Sequence, residues 1–344
     1  MKKRSVMRRA LLIYGTILAM LTGIAGGALI WDVLHFLNSP LPVNEPRLQQ
    51  VMPGSTFNSL SRQWVSEGVI QWPHHARYLR LYARLGGRAT QLKAGEYQIK
   101  PGMTARQLVD GLVSGRGYYY RLTFIEGWTF QQMMHAVANA PALKHTLADT
   151  SANNVMQALG RAGEHPEGRF YPDTYHYPGG MSDVDFLRRA YDLMTQVLEQ
   201  EWKARALDLP LNSAYEALVL ASIIEKETGK PHERAEIAGV FTRRLKLGML
   251  LQTDPTVIYG MGTAFDGNIR RTDLQRDTPY NTYLRAGLTP TPICLPGRDA
   301  IHAAVHPAPG DTLYFVSRGD GTHQFSASLE EHNQAVRKFQ LKQP

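Results

Sequence analysis

The most conspicuous hydrophobic pattern is an uninterrupted apolar segment near the N-terminus. Residues 10–31 contain no charged side chain. At about 1.5 Å per residue, a helix of this length crosses a hydrocarbon core of about 30 Å. A cleaved signal peptide has a shorter apolar region of about 7 to 15 residues, although Gly26-Gly27-Ala28 resembles a cleavage site. The length favours a transmembrane helix over residues 10–31, preceded by a tail of residues 1–9.

A proline-rich segment and then a small module are predicted after this helix. Three prolines between Asn38 and Pro46 oppose helix, which indicates a stiff linker over residues 32–46. Farther on, Met52–Thr56 and Lys100–Thr104 are Pro-Gly turns, each leading into a Ser/Thr cap and an amphipathic helix. The stretch Lys93–Ile99 alternates like a strand. We therefore expect an α+β module over residues 47–117.

The middle of the chain, residues 118–209, mixes strand and helix signals. Tyr119–Ile125 is strand-like, and Val184–Trp202 carries an apolar stripe at helical spacing. The turn-rich stretch Glu167–Tyr175 interrupts the two. We interpret this part as a connecting region packed on the next domain.

The last region, residues 210–344, has the clearest signals. Ser213 followed by Glu216 is a capping box for a helix whose apolar run is Ala217–Ile224. Gly229 and Pro231 stop that helix.

A second helix is predicted from Glu233 to about Gly248. Leu313–Ser317 and His323–Ser326 form a predicted hairpin, and Ser328 opens a terminal helix. The predicted fold class is α+β.

Charge narrows the possible partners. The chain has 38 basic and 30 acidic residues, and five of the basic ones precede position 10, which leaves 33 against 30. A nucleic-acid binder would spread its basic residues over a folded face, so we expect no nucleic-acid partner. The early basic cluster predicts a cytoplasmic N-terminus by the positive-inside rule.

Cysteine and histidine patterns exclude other chemistries. Cys294 is the only cysteine, and no His lies in an H-E-x-x-H pattern, so we expect no disulfide and no catalytic metal. Motifs for a nucleophilic serine and for phosphate binding are also absent from the sequence. No cofactor is predicted.

Glu227 is the leading candidate for acid chemistry. At 100° per residue, Ile223 and Ile224 lie on the same side of the helix as Glu227. Burial and the negative end of a helix both raise a carboxyl pKa, as a proton donor at neutral pH requires. From periodicity alone, a solvent-facing Glu227, or one paired with Lys230 or Arg234, is equally compatible with the pattern.

Other polar and aromatic residues could support Glu227. Glu225 lies about 200° round the helix, which indicates a supporting or surface role. Asp254 stands in a polar cluster with Gln252, but Pro255 also suits a simple turn there. A second group could contact sugar rings, hydroxyls or acetamido groups, or could equally lie in the core: Tyr259, Tyr280, Asn281 and Tyr283.

These motifs resemble those of the YceG-like family of endolytic murein transglycosylases over nearly the entire chain. The matching segments are Leu220–Thr228, Arg244–Leu245, Gly248–Gly260, Pro279–Tyr283, Tyr314–Val316 and Glu331–Asn333, with Leu92–Tyr97 and Tyr171–Tyr175 upstream. Where the family often has Asn in one loop, this chain has Leu295.

The resemblance implies a single-pass inner-membrane protein with a LysM-like module at residues 47–117 and a periplasmic catalytic domain. It implies that Glu227, the second Glu of Glu225-Lys226-Glu227, is the catalytic acid. The expected substrate is the peptidoglycan glycan strand, cut between N-acetylmuramic acid and N-acetylglucosamine to leave 1,6-anhydro ends, which would limit strand elongation. Peptidoglycan synthases, the penicillin-binding proteins, are possible partners. The alternative is a non-catalytic peptidoglycan-binding scaffold of the synthesis machinery.

Overall fold

The computed structural model describes residues 2–341. It divides into two compact units, Met1–Tyr120 and Arg121–Pro344. Met1, the first residue of the predicted tail, lies outside the described residues. So do residues 342–344, the end of the predicted last region. The division at Tyr120 comes three residues after the predicted end of the small module, and the regions predicted as connecting and catalytic share the second unit.

The described chain combines helices with short strands, as expected for a mixed α+β protein. The helices are α1 (Lys2–Asn38), α2 (Phe57–Ser66), α3 (Pro73–Leu85), α4 (Ala105–Ser114), α5 (Phe130–Ala138), α6 (Ala152–Ala158), α7 (Asp183–Lys203), α8 (Ala214–Glu227), α9 (Arg234–Lys246), α10 (Asp254–Met261), α11 (Arg271–Leu274), α12 (Arg298–Val305) and α13 (Leu329–Phe339). The strands are β1 (Arg47–Val51), β2 (Gly95–Ile99), β3 (Tyr119–Thr123), β4 (Thr174–Pro178), β5 (Tyr314–Ser317) and β6 (His323–Ser326).

Helix α1 is both the apolar segment and part of the first unit. Its stretch Leu11–Asn38 is long and apolar enough to cross a membrane. The helix continues seven residues past the predicted end at Trp31, and Phe36 and Leu37 are buried in the core of the unit. Its last turns therefore pack as in a soluble protein.

The proline-rich segment, predicted as a stiff linker, packs on the first unit. The prolines do end the helix, but Leu41 and Val43 between them are buried in the same core. The backbone N–H of Leu41 donates to the carbonyl of Met103 at 2.8 Å. Apolar residues between prolines can pack against a core, and here they attach the segment to the folded unit.

Two antiparallel strands and three helices complete the first unit. Strand β1, which the sequence did not predict, pairs with β2 from Arg47 opposite Ile99 to Val51 opposite Gly95. Helices α2 and α4 begin at capping boxes on Thr56 and Thr104, which confirms both predicted caps. The core also contains a buried polar pair that links β1 to α2.

That pair joins Trp64 to Gln49. The indole Nε1–H of Trp64 donates to Oε1 of Gln49 at 2.8 Å, and both side chains are buried. The hydrogen bond lets a large aromatic side chain lie fully inside the core without an unsatisfied donor.

Helix α8 is the centre of the second unit. Every residue from Ala217 to Ile224 is buried, since α7, α9 and α12 all pack around this helix. Ser213 caps α8 as predicted, but the Glu216 carboxylate accepts from the backbone N–H of Asn212 at 2.7 Å, one residue before the cap.

The predicted C-terminal hairpin is confirmed. Strands β5 and β6 are antiparallel, with Tyr314 opposite Ser326 and Ser317 opposite His323. Ser328 opens α13 with a capping box, and α13 packs on both strands. The hairpin thereby places His323 close to Glu227, the last residue of α8.

Candidate active site

Glu227 is the last residue of α8. The helix stops there because Thr228 adopts an extended conformation, with φ −144° and ψ 136°. The Thr228 hydroxyl accepts from the backbone N–H of Lys230 at 2.9 Å and donates to the Glu233 carboxylate at 3.2 Å. This turn leaves the Glu227 side chain at the wall of a cavity of about 490 Å³.

The surroundings of Glu227 favour its protonated form. Burial raises the pKa of Glu227 from 4.5 to about 7, and the neighbouring negative charge of Asp254 acts in the same direction. The Thr253 hydroxyl, which donates to Oε1 of Glu227, and the positive charge of His323 both lower it. The carboxyl thus titrates near neutral pH.

The alternative of an ion-paired Glu227 does not match this geometry. Within residues 2–341, Arg234 lies near three other carboxylates: those of Glu225, Glu126 and Asp299. The carboxyl of Glu227 instead faces the cavity, where a ligand can reach it.

Asp254 and Tyr283 line the same cavity. Asp254 begins α10, where Pro255 occupies a first-turn position that needs no N–H donor. The Tyr283 hydroxyl donates to Oδ1 of Asp254 at 2.6 Å. Burial and this bond raise the pKa of Tyr283, so its hydroxyl stays protonated.

Gln252 also lines the cavity. Its backbone has a φ of 52°, in the left-handed region that few non-glycine residues adopt, and its N–H donates to the Thr282 carbonyl at 3.1 Å. An unusual backbone held by a specific hydrogen bond is common at functional sites. The cavity brings together four of the predicted site residues: Glu227, Gln252, Asp254 and Tyr283.

Thr253, His323 and Arg244, which were not predicted as site residues, also line this cavity. Thr253 lies between two predicted site residues in the chain, which was a usable signal. His323 lies 96 residues after Glu227, and only the hairpin brings it there. Arg244 is buried, with its guanidinium 5.1 Å from the Tyr314 ring and a hydrogen bond of 2.7 Å to the Leu313 carbonyl.

His323 is fixed by a buried carboxylate. Its N–H and Nδ1 both contact Glu233, at 2.9 and 2.8 Å. Burial would raise the pKa of Glu233, but the bonds to His323 outweigh it and lower that pKa. The ionised Glu233 therefore holds the imidazole in place, with its other edge free for the cavity.

Glu225 and Asn281 lie outside the lining of this cavity, and their side chains form hydrogen bonds with backbone groups. Glu225 accepts from the N–H of Gly297 at 2.9 Å, on the side of α8 away from Glu227. Asn281 is fully buried and donates to the carbonyls of Leu274 and Arg276 at 2.9 and 2.8 Å. Its Oδ1 accepts from the N–H of the Tyr283 residue at 2.9 Å, so it shapes the loop that presents the tyrosine.

Tyr259 and Tyr280 lie in a different place from Glu227. Their rings contact each other edge to face at 4.9 Å between centroids, and both line a second cavity, of about 680 Å³. The Tyr259 hydroxyl donates to the buried Glu167 carboxylate at 3.0 Å. The sequence analysis had treated Glu167 only as part of a turn.

Possible metal ligands cluster away from the Glu227 cavity. In the part of the chain that the structure describes, ligand atoms close enough to share an ion occur in two groups: Asp32, His74 and His75, and Glu201, His302 and His306. Neither group contains a residue that lines the cavity of Glu227.

The geometry of the cavity suits general acid catalysis by one carboxyl. Glu227 can hold a proton near neutral pH, and Asp254, which is exposed to solvent, supplies a second carboxylate beside it.

Comparison with known proteins points to one family. The model of the YceG-like family matches residues 49–338. An endolytic murein transglycosylase of Bacillus subtilis is 32% identical over 306 residues, covering 83% of this chain and 82% of that protein. The enzyme of the same name from Streptococcus pneumoniae is 26% identical, covering 88% of this chain, and this chain spans only 60% of its length.

A crystal structure of a yceG-like protein from Listeria monocytogenes has a similar fold. Its TM-score is 0.54 at 30% sequence identity, and the match covers 85% of this chain and 99% of the other. The similarity therefore extends over both units of the chain.

Proposed function

We propose that Glu227 is the catalytic acid of this chain, which belongs to the YceG-like family and is a lytic transglycosylase acting on peptidoglycan. The observation that carries this proposal is the carboxyl of Glu227, with a pKa of about 7, at the wall of the cavity that it shares with Gln252, Asp254 and Tyr283. A general acid works best when its pKa lies near the working pH. Of the carboxyls that line this cavity, Glu227 alone is shielded enough to meet the requirement.

In the proposed reaction, Glu227 first gives its proton to the oxygen that bridges N-acetylmuramic acid and N-acetylglucosamine. The bond from C1 of the muramoyl ring to that oxygen breaks, and positive charge develops at C1. The ionised Glu227 then accepts the proton of the muramoyl C6 hydroxyl while that oxygen bonds to C1. A 1,6-anhydro ring results, water is not consumed, and Glu227 ends protonated as it began.

The neighbouring side chains support these two proton transfers. The carboxylate of Asp254 stabilises positive charge near C1, and Tyr283 holds that carboxylate by its hydrogen bond of 2.6 Å. The Thr253 hydroxyl stabilises Glu227 in its ionised form between the steps. Gln252 can bond to sugar hydroxyl or acetamido groups, while Asn281 and Glu225 keep loops in position.

We further propose that cleavage occurs within nascent strands and so limits their elongation, as the word endolytic in the names of the relatives suggests. Peptidoglycan synthases, the penicillin-binding proteins, would then be natural partners. The basic residues before position 10 support a cytoplasmic N-terminus, an anchor in the inner membrane and a periplasmic catalytic unit.

Residues 47–117 are proposed to be a LysM-like module. What supports this is an antiparallel pair, β1 and β2, with helices α2 and α3 between them in the chain. Whether the module binds glycan is a separate question from its topology.

Digestion of purified glycan strands by the full chain in detergent micelles tests the proposed reaction. Mass spectrometry should find 1,6-anhydromuramoyl ends with the wild type and none with Glu227→Gln. Glu199→Gln, at an exposed position of α7, is the matched control and should cut normally. Reducing ends would indicate a hydrolase, and intact strands would favour the non-catalytic scaffold.

A further inference from the structure

The second cavity, which we call the Glu167 cavity, is built around a buried carboxyl outside the Glu227 site. Oε1 of Glu167 accepts from the N–H of Phe130 at 2.8 Å, and Oε2 accepts from the Tyr259 hydroxyl at 3.0 Å. The next residue, Gly168, has a φ of 77°, and a Cβ there would lie 2.6 Å from Pro292. Only glycine allows this turn, which holds Glu167 in the wall of the cavity.

The size and lining of the Glu167 cavity suit a sugar ring. Its volume of about 680 Å³ falls within the range of about 300–1,000 Å³ typical of small-molecule sites. Tyr259 and Tyr280 supply aromatic surface, on which the C–H face of a sugar can stack. Around them, the exposed side chains of Gln131 and Thr263 offer hydrogen bonds to hydroxyl and acetamido groups.

His165 adds a further donor. Its Nδ1 accepts from the N–H of Glu167 at 3.3 Å, so in the neutral ring the proton lies on Nε2. Burial lowers the pKa of His165, which keeps the ring neutral at neutral pH. The cavity thus offers polar groups with little charge.

The charge of the lining distinguishes between the two sugars of a peptidoglycan strand. The lining described by the structure includes no Lys or Arg, and it contains the carboxyl of Glu167. N-acetylmuramic acid carries a lactyl carboxylate or a stem peptide, for which the lining offers no cationic side chain. N-acetylglucosamine is uncharged and fits this environment.

Helix α10 connects the Glu167 cavity to the Glu227 cavity. Asp254, at the start of the helix, lines the cavity of Glu227, and Tyr259 lines the Glu167 cavity. These residues are five positions apart, or roughly 8 Å along the helix axis. A strand lying along α10 would pass both cavities.

We propose that the Glu167 cavity is a saccharide subsite that holds an N-acetylglucosamine ring of the strand being cut, away from the bond at Glu227. The inference rests on the proposed function, since it takes the strand as the ligand. An enzyme that cuts inside a strand has to hold the strand beyond the scissile bond, and this subsite does so.

The test uses chitotetraose, a tetramer of β-1,4-linked N-acetylglucosamine, as the probe. Because the Glu227→Gln variant lacks the proposed catalytic acid, binding of this probe is measured separately from cutting. Its affinity for the full-length Glu227→Gln variant in micelles is measured by titration calorimetry. A second substitution, Gln131→Trp, fills the mouth of the cavity, and Gln196→Trp, at an exposed position of α7, is the matched control.

We expect Gln131→Trp to weaken chitotetraose binding at least about tenfold, the loss expected for a hydrogen bond and part of a ring contact. Gln196→Trp should leave binding unchanged. The double substitution Gln131→Ala and Thr263→Ala should weaken binding in the same direction, which guards against a folding defect caused by the bulky tryptophan.

Digestion of strands by otherwise wild-type chains separates the two proposals. Equal chitotetraose affinity for all variants, with normal strand cutting, overturns the subsite and leaves the proposed function standing. Binding that depends on Gln131, in a chain that cuts no strand, overturns the transglycosylase and supports the subsite.

Discussion

The protonation of Glu227 makes a quantitative prediction about folding stability. Glu227→Gln replaces a carboxyl whose pKa is about 7 in the folded protein by a neutral amide of similar shape. The amide oxygen can still accept the hydrogen bond from Thr253. The substitution therefore removes the titration of the site while its packing stays nearly the same.

The magnitude follows from the two pKa values. The pKa of Glu227 is 4.5 in an ordinary environment and about 7 when folded, so folding takes up a proton at intermediate pH. At 1.36 kcal/mol per pH unit, the difference is about 3 kcal/mol. Because the carboxyl keeps some exposed surface at the cavity, this is the upper end of the expected effect.

The sign of the change in stability follows from which state, folded or unfolded, loses the Glu227 proton at the lower pH. Below pH 4.5 both states are protonated, and the wild type loses nothing to this group. As the pH rises from 4.5 to about 7, the unfolded carboxyl ionises while the folded one keeps its proton, so the free energy of unfolding of the wild type falls, and above about 7 it levels off. The advantage of Glu227→Gln should grow from near zero at pH 4.5 to as much as about 3 kcal/mol at pH 8.

Denaturant unfolding of the full chain in micelles, repeated between pH 4.5 and pH 8, measures this difference. Glu199→Gln is the control, because its carboxyl is exposed in the folded state as well and its effect should not vary over this range. A Glu227→Gln advantage that stays constant with pH would refute the reasoning that burial keeps Glu227 protonated.

Three further outcomes can be checked. The rate of 1,6-anhydro end formation should fall as pH rises through about 7, where Glu227 loses its proton, and a rate that still rises above pH 8 would contradict this. Glu227→Gln should lower the rate by about 10²- to 10⁴-fold. Thr253→Val removes the hydrogen bond that lowers the pKa of Glu227, so the alkaline limb of the pH–rate profile should move to higher pH, whereas Thr253→Ser should leave it in place. Gln49→Leu leaves the Trp64 indole N–H unpaired in the core and should cost about 1–3 kcal/mol in denaturant unfolding, while the exposed neighbour Gln50→Leu should cost little.

The sequence predicted the end of α8 near Glu227 but could not settle the surroundings of that residue. The cap at Ser213 and the breakers at Gly229 and Pro231 bounded the helix correctly. Helical periodicity put Ile223 and Ile224 beside Glu227, but the whole run from Ala217 is buried. A helix surrounded on all sides has no single apolar stripe, so periodicity alone could not show which way its last residue faces.

Long-range contacts explain most of what the sequence did not reveal. His323 joins the Glu227 cavity only because a hairpin packs near the end of α8. Tyr259 is one and a half turns along α10 from Asp254, so two residues of one motif serve different cavities. The buried carboxyl of Glu167 was hidden in a turn-rich stretch, where polar residues are usually exposed.

Local signals also left the proline-rich segment undecided. The prolines correctly marked the end of α1 at Asn38. Whether Leu41 and Val43 would pack or remain free depended on a core formed with residues more than 50 positions later, such as Met103. Composition describes a segment's stiffness but does not say what the segment contacts.

The packing of Phe36 and Leu37 in the first unit has a consequence for how far that unit can move. A flexible tether lets a domain explore a volume that grows with tether length. Here the proposed membrane anchor and the core share one continuous helix, so the height of the first unit above the bilayer is set by the helix itself. Its search for ligands becomes two-dimensional, confined to a thin layer beside the membrane, and material in that layer is encountered at high effective concentration.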